Sequence, residues 1–377
     1  MKKILMLNYE FPPLGGGGGR VSFSLAKGFK KQGYEVDVIT SKYSGLPKLE
    51  HIDGINIYRV IIFGREKEQT ATFLSMFSFL FSGFLCGIRL CARNRYDFIN
   101  THFVLPTGPL GFLLSKIFHI KNILSLHGGD IYDPSKKSSP HNHSYLRLIV
   151  SFFLNRSYQI VAQSTNTREN AIKYCNPQKD IKIIPLAYEL FIINPISRKE
   201  LNLRDEKKYL ISVGRLIKRK GFKYLIGCLK LLDDNVELLI IGDGNEKKRL
   251  SDLAYKLHLK DKVHFLGQIS EEKKFQYLSN ADIYVLSSLH EGFGIVLQEA
   301  MQVGLPIVST NHGGQVDIVK HNVNGLLVER CHVQGLADGI EKLLNNKKLY
   351  QRISQNNRSA LHKYNIHTII DNYLNLI

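Results

Sequence analysis

Short apolar runs separated by helical patterns recur along the whole chain, and that alternation limits the folds open to it. Lys3–Asn8, Glu35–Thr40, Ile55–Ile61, Asp97–Phe103, Asn122–Leu126, Gln159–Gln163 and Ile181–Pro185 read as strands buried on both faces. Helical patterns lie between most of them, which predicts a doubly wound parallel α/β sheet. A second series follows at Tyr209–Val213, Glu237–Ile241, Val263–Leu266, Ile283–Leu286, Pro306–Ser309 and Leu326–Val328. The polar, irregular stretch Tyr188–Lys208 between the two series reads as a linker. The 377 residues therefore divide into a domain at 1–187 and another at 188–356. Ligands of such sheets bind at the carboxyl ends of strands, so two facing sheets predict a site in the cleft between them.

Composition narrows the function classes. Five cysteines show no CxxC spacing and read as reduced cytosolic thiols. The start, MKKILMLNYEFPP, has an apolar run too short for a signal peptide and reads as a first strand. The net charge of +18 suits an anionic substrate, an anionic membrane or nucleic acid. The absence of any helix-turn-helix, RNP or zinc-finger pattern argues against nucleic acid. Ala71–Ile88 runs for eighteen residues without a charge. Ser75, Ser82 and Arg89 recur along it every seven residues, with Ser78 nearby, as a weak polar stripe. A helix packed in the first domain, an interfacial helix touching membrane and a span are the competing readings; a span would cut the sheet between its strands.

The chemistry-bearing residues gather at predicted strand ends. Glu291–Pro306, EGFGIVLQEAMQVGLP, follows a buried strand; its helix begins near Ile295 and stops at Gly304-Leu305-Pro306. Glu291 precedes the helix and Glu299 lies within it, so two carboxylates flank a helix start whose N–H groups attract an anion. Carboxylates accept from paired hydroxyls, and the combination suits a nucleotide-sugar. Gly15–Gly19 follow the first strand and precede a helix expected to open near Val21, where the backbone can wrap a phosphate or a sugar. His102 and His127 fall at the ends of two strands, with Asp130 close behind, and their neutral form suits hydrogen bonding to a sugar. Arg215 and Lys220 follow another strand and are placed to hold a diphosphate; Lys218 and Arg219 read as an exposed basic turn.

Four separated motifs, the glycine loop Gly15–Gly19, LHGGD, VGRLIKRKG and EGFGIVLQE with Gly313-Gly314 downstream, resemble those of retaining GT-B glycosyltransferases, family 4 (group 1) in particular. The resemblance implies two Rossmann-like domains and a helix across 357–377 that returns to the first. It implies transfer of a hexose from a UDP- or GDP-linked sugar to a glycan or lipid-linked acceptor. Glu299 would hold the ribose. Glu291, Phe293, Gly294 and Ile295 would hold the sugar, with His102 beside the donor and His127 at the reaction centre. Arg215, Lys220, Gly16 and Gly17 would hold the diphosphate. No Asp-x-Asp occurs, so a metal bridging the diphosphate is not expected; the resemblance implies no cofactor, the nucleoside diphosphate sugar being a substrate. PLAYE at Pro185–Glu189 departs from the usual PNG(V/I)D, which leaves acceptor contacts there open. A nucleotide-sugar epimerase and a non-catalytic binding protein are the alternatives. Charge and the apolar segment together predict a cytoplasmic protein peripherally attached to the inner face of the membrane, in surface polysaccharide synthesis.

Overall fold

The computed structural model describes residues 2–65 and 72–377, and the chain divides into two units, Met1–Glu189 with Tyr364–Ile377, and Leu190–Lys363. The first unit holds β1 (Lys3–Leu7), β2 (Glu35–Ser41), β3 (Leu49–Ile52), β4 (Ile55–Val60), β5 (Phe98–His102), β6 (Lys121–Leu126), β7 (Gln159–Ala162) and β8 (Ile181–Ile183). They lie in the order β3-β4-β2-β1-β5-β6-β7-β8, parallel except for β3 against β4. Every strand read from the sequence is present; β3 was not anticipated. Its signal was Asp53-Gly54, both left-handed at φ 52° and 75°, as a two-residue hairpin turn requires. Helices α1 (Gly17–Lys31), α2 (Phe73–Arg93), α3 (Gly108–Phe118), α4 (Ser144–Arg156) and α5 (Thr165–Cys175) make the crossovers.

The apolar segment forms α2, its start at Ala71 lying outside the described residues and its end extending to Arg93. The serine stripe faces the protein. Ser75 is buried against the Tyr9 hydroxyl at 2.7 Å, Ser78 Oγ accepts from Phe63 N at 2.9 Å, and Ser82 Oγ donates to Ile61 O at 2.7 Å. Phe79, Gly83 and Gly87 complete the inner face; a Cβ on Gly87 would come within 2.5 Å of Leu114 in α3. The outer face is almost wholly apolar.

The second unit holds β9 (Lys208–Val213), α6 (Phe222–Cys228), β10 (Val236–Ile241), α7 (Lys247–Lys256), β11 (Val263–Gly267), α8 (Glu271–Asn280), β12 (Ile283–Leu286) and α9 (Ile295–Val303). It continues through β13 (Ile307–Thr310), α10 (Gln315–Ile318), β14 (Leu326–Val328), α11 (Val333–Asn345) and α12 (Lys347–Ala360). Its all-parallel sheet has the order β11-β10-β9-β12-β13-β14. Leu210, Leu238, Ile240, Ile283, Val285 and Val308 are buried in the core between sheet and helices.

Two expectations need correction. Tyr188–Lys208 is not a free linker: Phe191 stacks on Phe275 at 4.7 Å and Gln302 bonds its N and O, while Arg198 donates to Asn280 O and Asp282. Both groups belong to the second unit, so apolar and ionic anchors hold most of this polar stretch on it. Nor does a single helix cover 357–377. Asn357, in α12, donates to Leu305 O at 2.7 Å within the second unit, and α13 (Ile366–Leu374) packs on α1 in the first. There Ile366 and Ile370 press on Gly28, and Tyr373 reaches Ser125 at 3.1 Å.

Candidate functional site

Strand order explains where the candidate residues gather. In the second unit β9 lies between β10 and β12, so the connections that leave β9 and β12 run in opposite directions and a crevice opens beyond these two strands. The loops at that crevice are Gly214–Gly221 and Ser287–Gly294. Gly221 has φ 66°, and a Cβ there would sit 2.1 Å from Ser287 O, so only glycine lets the first loop press on the second. Ser287 Oγ donates to Lys220 O at 3.1 Å, and Leu289 N donates to Arg219 O at 2.8 Å.

That docking sets Lys220 Nζ 2.6 Å from Glu291 Oε1, which also accepts from Ser288 Oγ at 2.6 Å. Arg219, expected to be exposed, turns inward; it donates to His290 O at 2.7 Å and lies 3.5 Å from Glu291 Oε2. Nothing in Lys-Arg-Lys distinguishes the inward pair from Lys218, which is exposed. Burial would raise the Glu291 carboxyl, but Lys220 and Arg219 hold it at about 2. Lys220 falls below its ordinary range because burial and the neighbouring Arg219 and Arg215 outweigh the attraction of Glu291. Arg215 is exposed just past β9. Three cations against one carboxylate leave this crevice positive.

Beyond Glu291 the chain turns through Gly292 and buried Phe293 to Gly294, which is left-handed at φ 107° and precedes α9. No side chain caps α9; Leu297 N donates to Gly294 O at 2.9 Å, and the N–H groups of Ile295 and Val296 lie at the crevice end of the helix. The Gly313-Gly314 turn lies directly behind, where a Cβ on Gly314 would be 2.1 Å from Gly292 O. Glu299, on the second turn of α9, is buried and accepts from Lys274 Nζ at 2.7 Å; Lys274, itself buried, also donates to Glu271 at 2.7 Å. The sequence does not single out Lys274, since EEKK at the start of α8 looks like any solvated helix.

The first unit repeats the arrangement. Its order reverses at β1, between β2 and β5, and the glycine loop follows β1. Helix α1 begins at Gly17, earlier than Val21, so the last three glycines are helical; a Cβ on Gly18 would be 2.5 Å from the Phe103 ring. Gly16 has open space above it, and its N–H lies 3.4 Å from a Glu10 carboxylate oxygen. Phe103 stacks on His127 with centroids 4.2 Å apart, and His102 Nδ1 is 2.9 Å from His127 Nε2. One ring donates and the other accepts, so both cannot be protonated together; burial disfavours the remaining charge too, pushing the His127 pKa down to about 4 and His102 well below its usual value. Asp130 ties the two strand ends together, accepting from Val104 N and His127 N at 3.0 Å each. Among the described residues no three His, Cys, Asp or Glu side chains gather as a metal-ligand set.

Comparison with known proteins agrees with these arrangements. Residues 15–190 match the family described as Glycosyltransferase Family 4, and residues 194–360 match Glycosyl transferases group 1. An uncharacterised glycosyltransferase of Methanocaldococcus jannaschii is 30% identical over 96% of this chain and 94% of its own. Among solved structures, sucrose-phosphate synthase from Thermosynechococcus elongatus superposes with a TM-score of 0.87 at 23% identity, covering 100% of this chain and 98% of that one. Anabaena HepE, solved in complex with UDP and glucose, gives 0.78 at 22% identity, covering 100% and 99%. Two parallel-sheet units, the residues at their switch points and near-full-length similarity lead to one conclusion: the chain belongs to the group 1, family 4 glycosyltransferases and has the GT-B fold.

Proposed function

We propose that this glycosyltransferase moves a hexose from a nucleoside diphosphate sugar to a glycan or lipid-linked acceptor, with retention at the anomeric carbon. The observation that carries the reading is the Lys220–Glu291 pair at the β9/β12 crevice, beside the uncapped start of α9. A diphosphate seated there meets Lys220, Arg219, Arg215 and the N–H groups of α9. The same groups stabilise the charge that grows on the departing phosphate oxygen. Glu291 and the Phe293–Ile295 backbone hold sugar hydroxyls, and Glu299 holds the ribose. UDP is the first donor nucleotide to test, because HepE binds it in the same fold.

The first unit supplies the acceptor side. His127, neutral and stacked on Phe103, presents a hydrogen-bonding ring to the reacting sugar; His102 sets its tautomer from behind. Gly16 and Gly17 lie at the start of α1, and Glu10 places a carboxylate there. That carboxylate suits acceptor hydroxyls better than a second phosphate. In the reaction, the acceptor oxygen forms its bond to the anomeric carbon as the bond to the phosphate breaks. The departing phosphate oxygen takes the acceptor proton on the same face. No protein nucleophile is assigned, unlike the paired carboxylates of a retaining glycosidase.

A thermal-shift screen of UDP- and GDP-sugars identifies the donor, and ligand at ~100 times its Kd adds about 2.7 kcal/mol of stability. Incubation of that donor with candidate acceptors should then release nucleoside diphosphate, and NMR of the product should show the donor's anomeric configuration. Conversion of the sugar without acceptor would identify an epimerase, and tight binding without turnover a binding protein. An inverted product would remove the same-face mechanism.

A further inference from the structure

The outer surface of the α2–α3–α4 layer has no use in the proposed reaction. Along α2, Phe73, Phe77, Phe81 and Leu85 recur every four residues and are 78%, 73%, 68% and 55% exposed. They form one apolar ridge facing away from the protein. Leu113 and Ile117 continue it on α3, which packs beside α2, and Leu148 and Phe152 on α4, which packs beside α3. An isolated exposed leucine means nothing, but apolar side chains across three adjacent helices form a patch that soluble surfaces seldom carry. Helix α2 alone is about 30 Å long and neighbouring helices lie about 10 Å apart, so the patch is broad.

Charge identifies what fits it. The three helices contain Arg89, Arg93, Lys116, Arg147 and Arg156, and no aspartate or glutamate. Each helix crosses over between parallel strands of the first sheet, β4 to β5, β5 to β6 and β6 to β7, so their carboxyl ends share one edge. Arg89, Arg93, Lys116 and Arg156 lie at those ends, with Arg95 and Lys121 beside them. Asp97, also at that edge, accepts from the Lys3 backbone amide at 2.6 Å. An apolar surface bordered by a basic row matches a bilayer whose hydrocarbon lies under anionic headgroups. Helix α2 is long and apolar enough to cross a membrane, but Ser75, Phe79, Gly83 and Gly87 pack its inner face onto the unit, which favours docking at the interface over a span.

We infer that the α2–α3–α4 face docks this enzyme on an anionic membrane, with α2 lying in the interface and the basic row against lipid phosphates. This attachment is independent of the catalytic reading. The full chain should co-sediment with phosphatidylcholine vesicles containing phosphatidylglycerol, bind vesicles of phosphatidylcholine alone far less, and be partly released by salt. Phe77→Ser and Phe81→Ser, both at solvent-facing positions, should each weaken partitioning roughly tenfold while leaving the melting temperature unchanged. Arg89→Gln with Arg93→Gln should weaken binding to the anionic vesicles and reduce, without abolishing, its salt dependence, since Arg95, Lys116, Lys121 and Arg156 remain. No vesicle binding at low salt would overturn the inference, as would binding indifferent to Phe77 and Phe81. A stable dimer that Phe77→Ser dissociates would assign the face to a second copy of the chain and overturn it too.

Discussion

Lys220 and Glu291, seventy-one residues apart in sequence, meet at 2.6 Å because Gly221 lets the turn after β9 rest on the loop after β12. Two groups expected to bind different parts of a donor are thus each other's partners. Lys220→Ala and Glu291→Ala should each reduce turnover about a hundredfold or more. Each should also cost stability, up to about 3–5 kcal/mol, since the remaining buried charge loses its nearest partner, and less for Lys220→Ala because Arg219 still faces Glu291. A double-mutant cycle read by denaturant unfolding should show strong coupling; additive stability losses would mean the pair does not act as a unit.

Lys274 holds one oxygen of Glu299 at 2.7 Å, which orients the carboxylate proposed for ribose binding. Calorimetric titration with UDP and with 2′- and 3′-deoxy-UDP tests this, with the GDP series substituted if UDP does not bind. The native protein should prefer the ribonucleotide by about tenfold or more, the value of a hydrogen bond to a charged group. Glu299→Ala should lose that preference; if it does not, the ribose reading is wrong. Lys274→Met should lose most of it and Lys274→Arg should retain part. Full preference in Lys274→Met, with loss in Glu299→Ala, would reduce Lys274 to a structural role.

Acid should destabilise the fold in two steps with a definite sign. Burial lowers His127 from the ordinary 6.5 to about 4, so below 6.5 the unfolded chain takes a proton that the fold refuses. The stability contributed by neutral His127 is complete above pH 6.5 and declines as pH falls toward 4, by at most about 1.4 kcal/mol per pH unit. Glu291, opposed by burial but held at about 2 by its cations, adds a second loss as pH falls from 4.5 toward 2. Melting temperatures across this range should show a flatter first step in His127→Asn and a flatter second step in Glu291→Gln. Unchanged profiles would mean that neither group titrates as the geometry implies.

Arg215, Arg219 and Lys220 offer positive charge where a diphosphate would otherwise recruit a cation. Transfer should therefore survive EDTA, assayed by release of nucleoside diphosphate. A strict requirement for Mg²⁺ or Mn²⁺ would show that protein charge and the α9 dipole are insufficient.

Local pattern determined the strands, because parallel strands buried on both faces leave continuous apolar runs that need no knowledge of the fold. Glycines and prolines determined where α9 stops, and near-adjacent residues such as Glu291 and Phe293 were bound to share a strand end. The resemblance to a glycosyltransferase rested on such short spacings, and the family comparison agrees with it. Tertiary structure alone decided the partners. Strand order, which no local pattern encodes, put β9 beside β12 and made their loops face. Side-chain direction turned Arg219 inward and left Lys218 in water, and it brought Lys274 across twenty-five residues to Glu299. It also turned the serines of α2 toward the protein, because the backbone and hydroxyl groups of Tyr9, Ile61 and Phe63 offered them hydrogen bonds. The phenylalanines were left outside for the same reason: the inner face of α2 was already filled by what the sheet and α3 could bury.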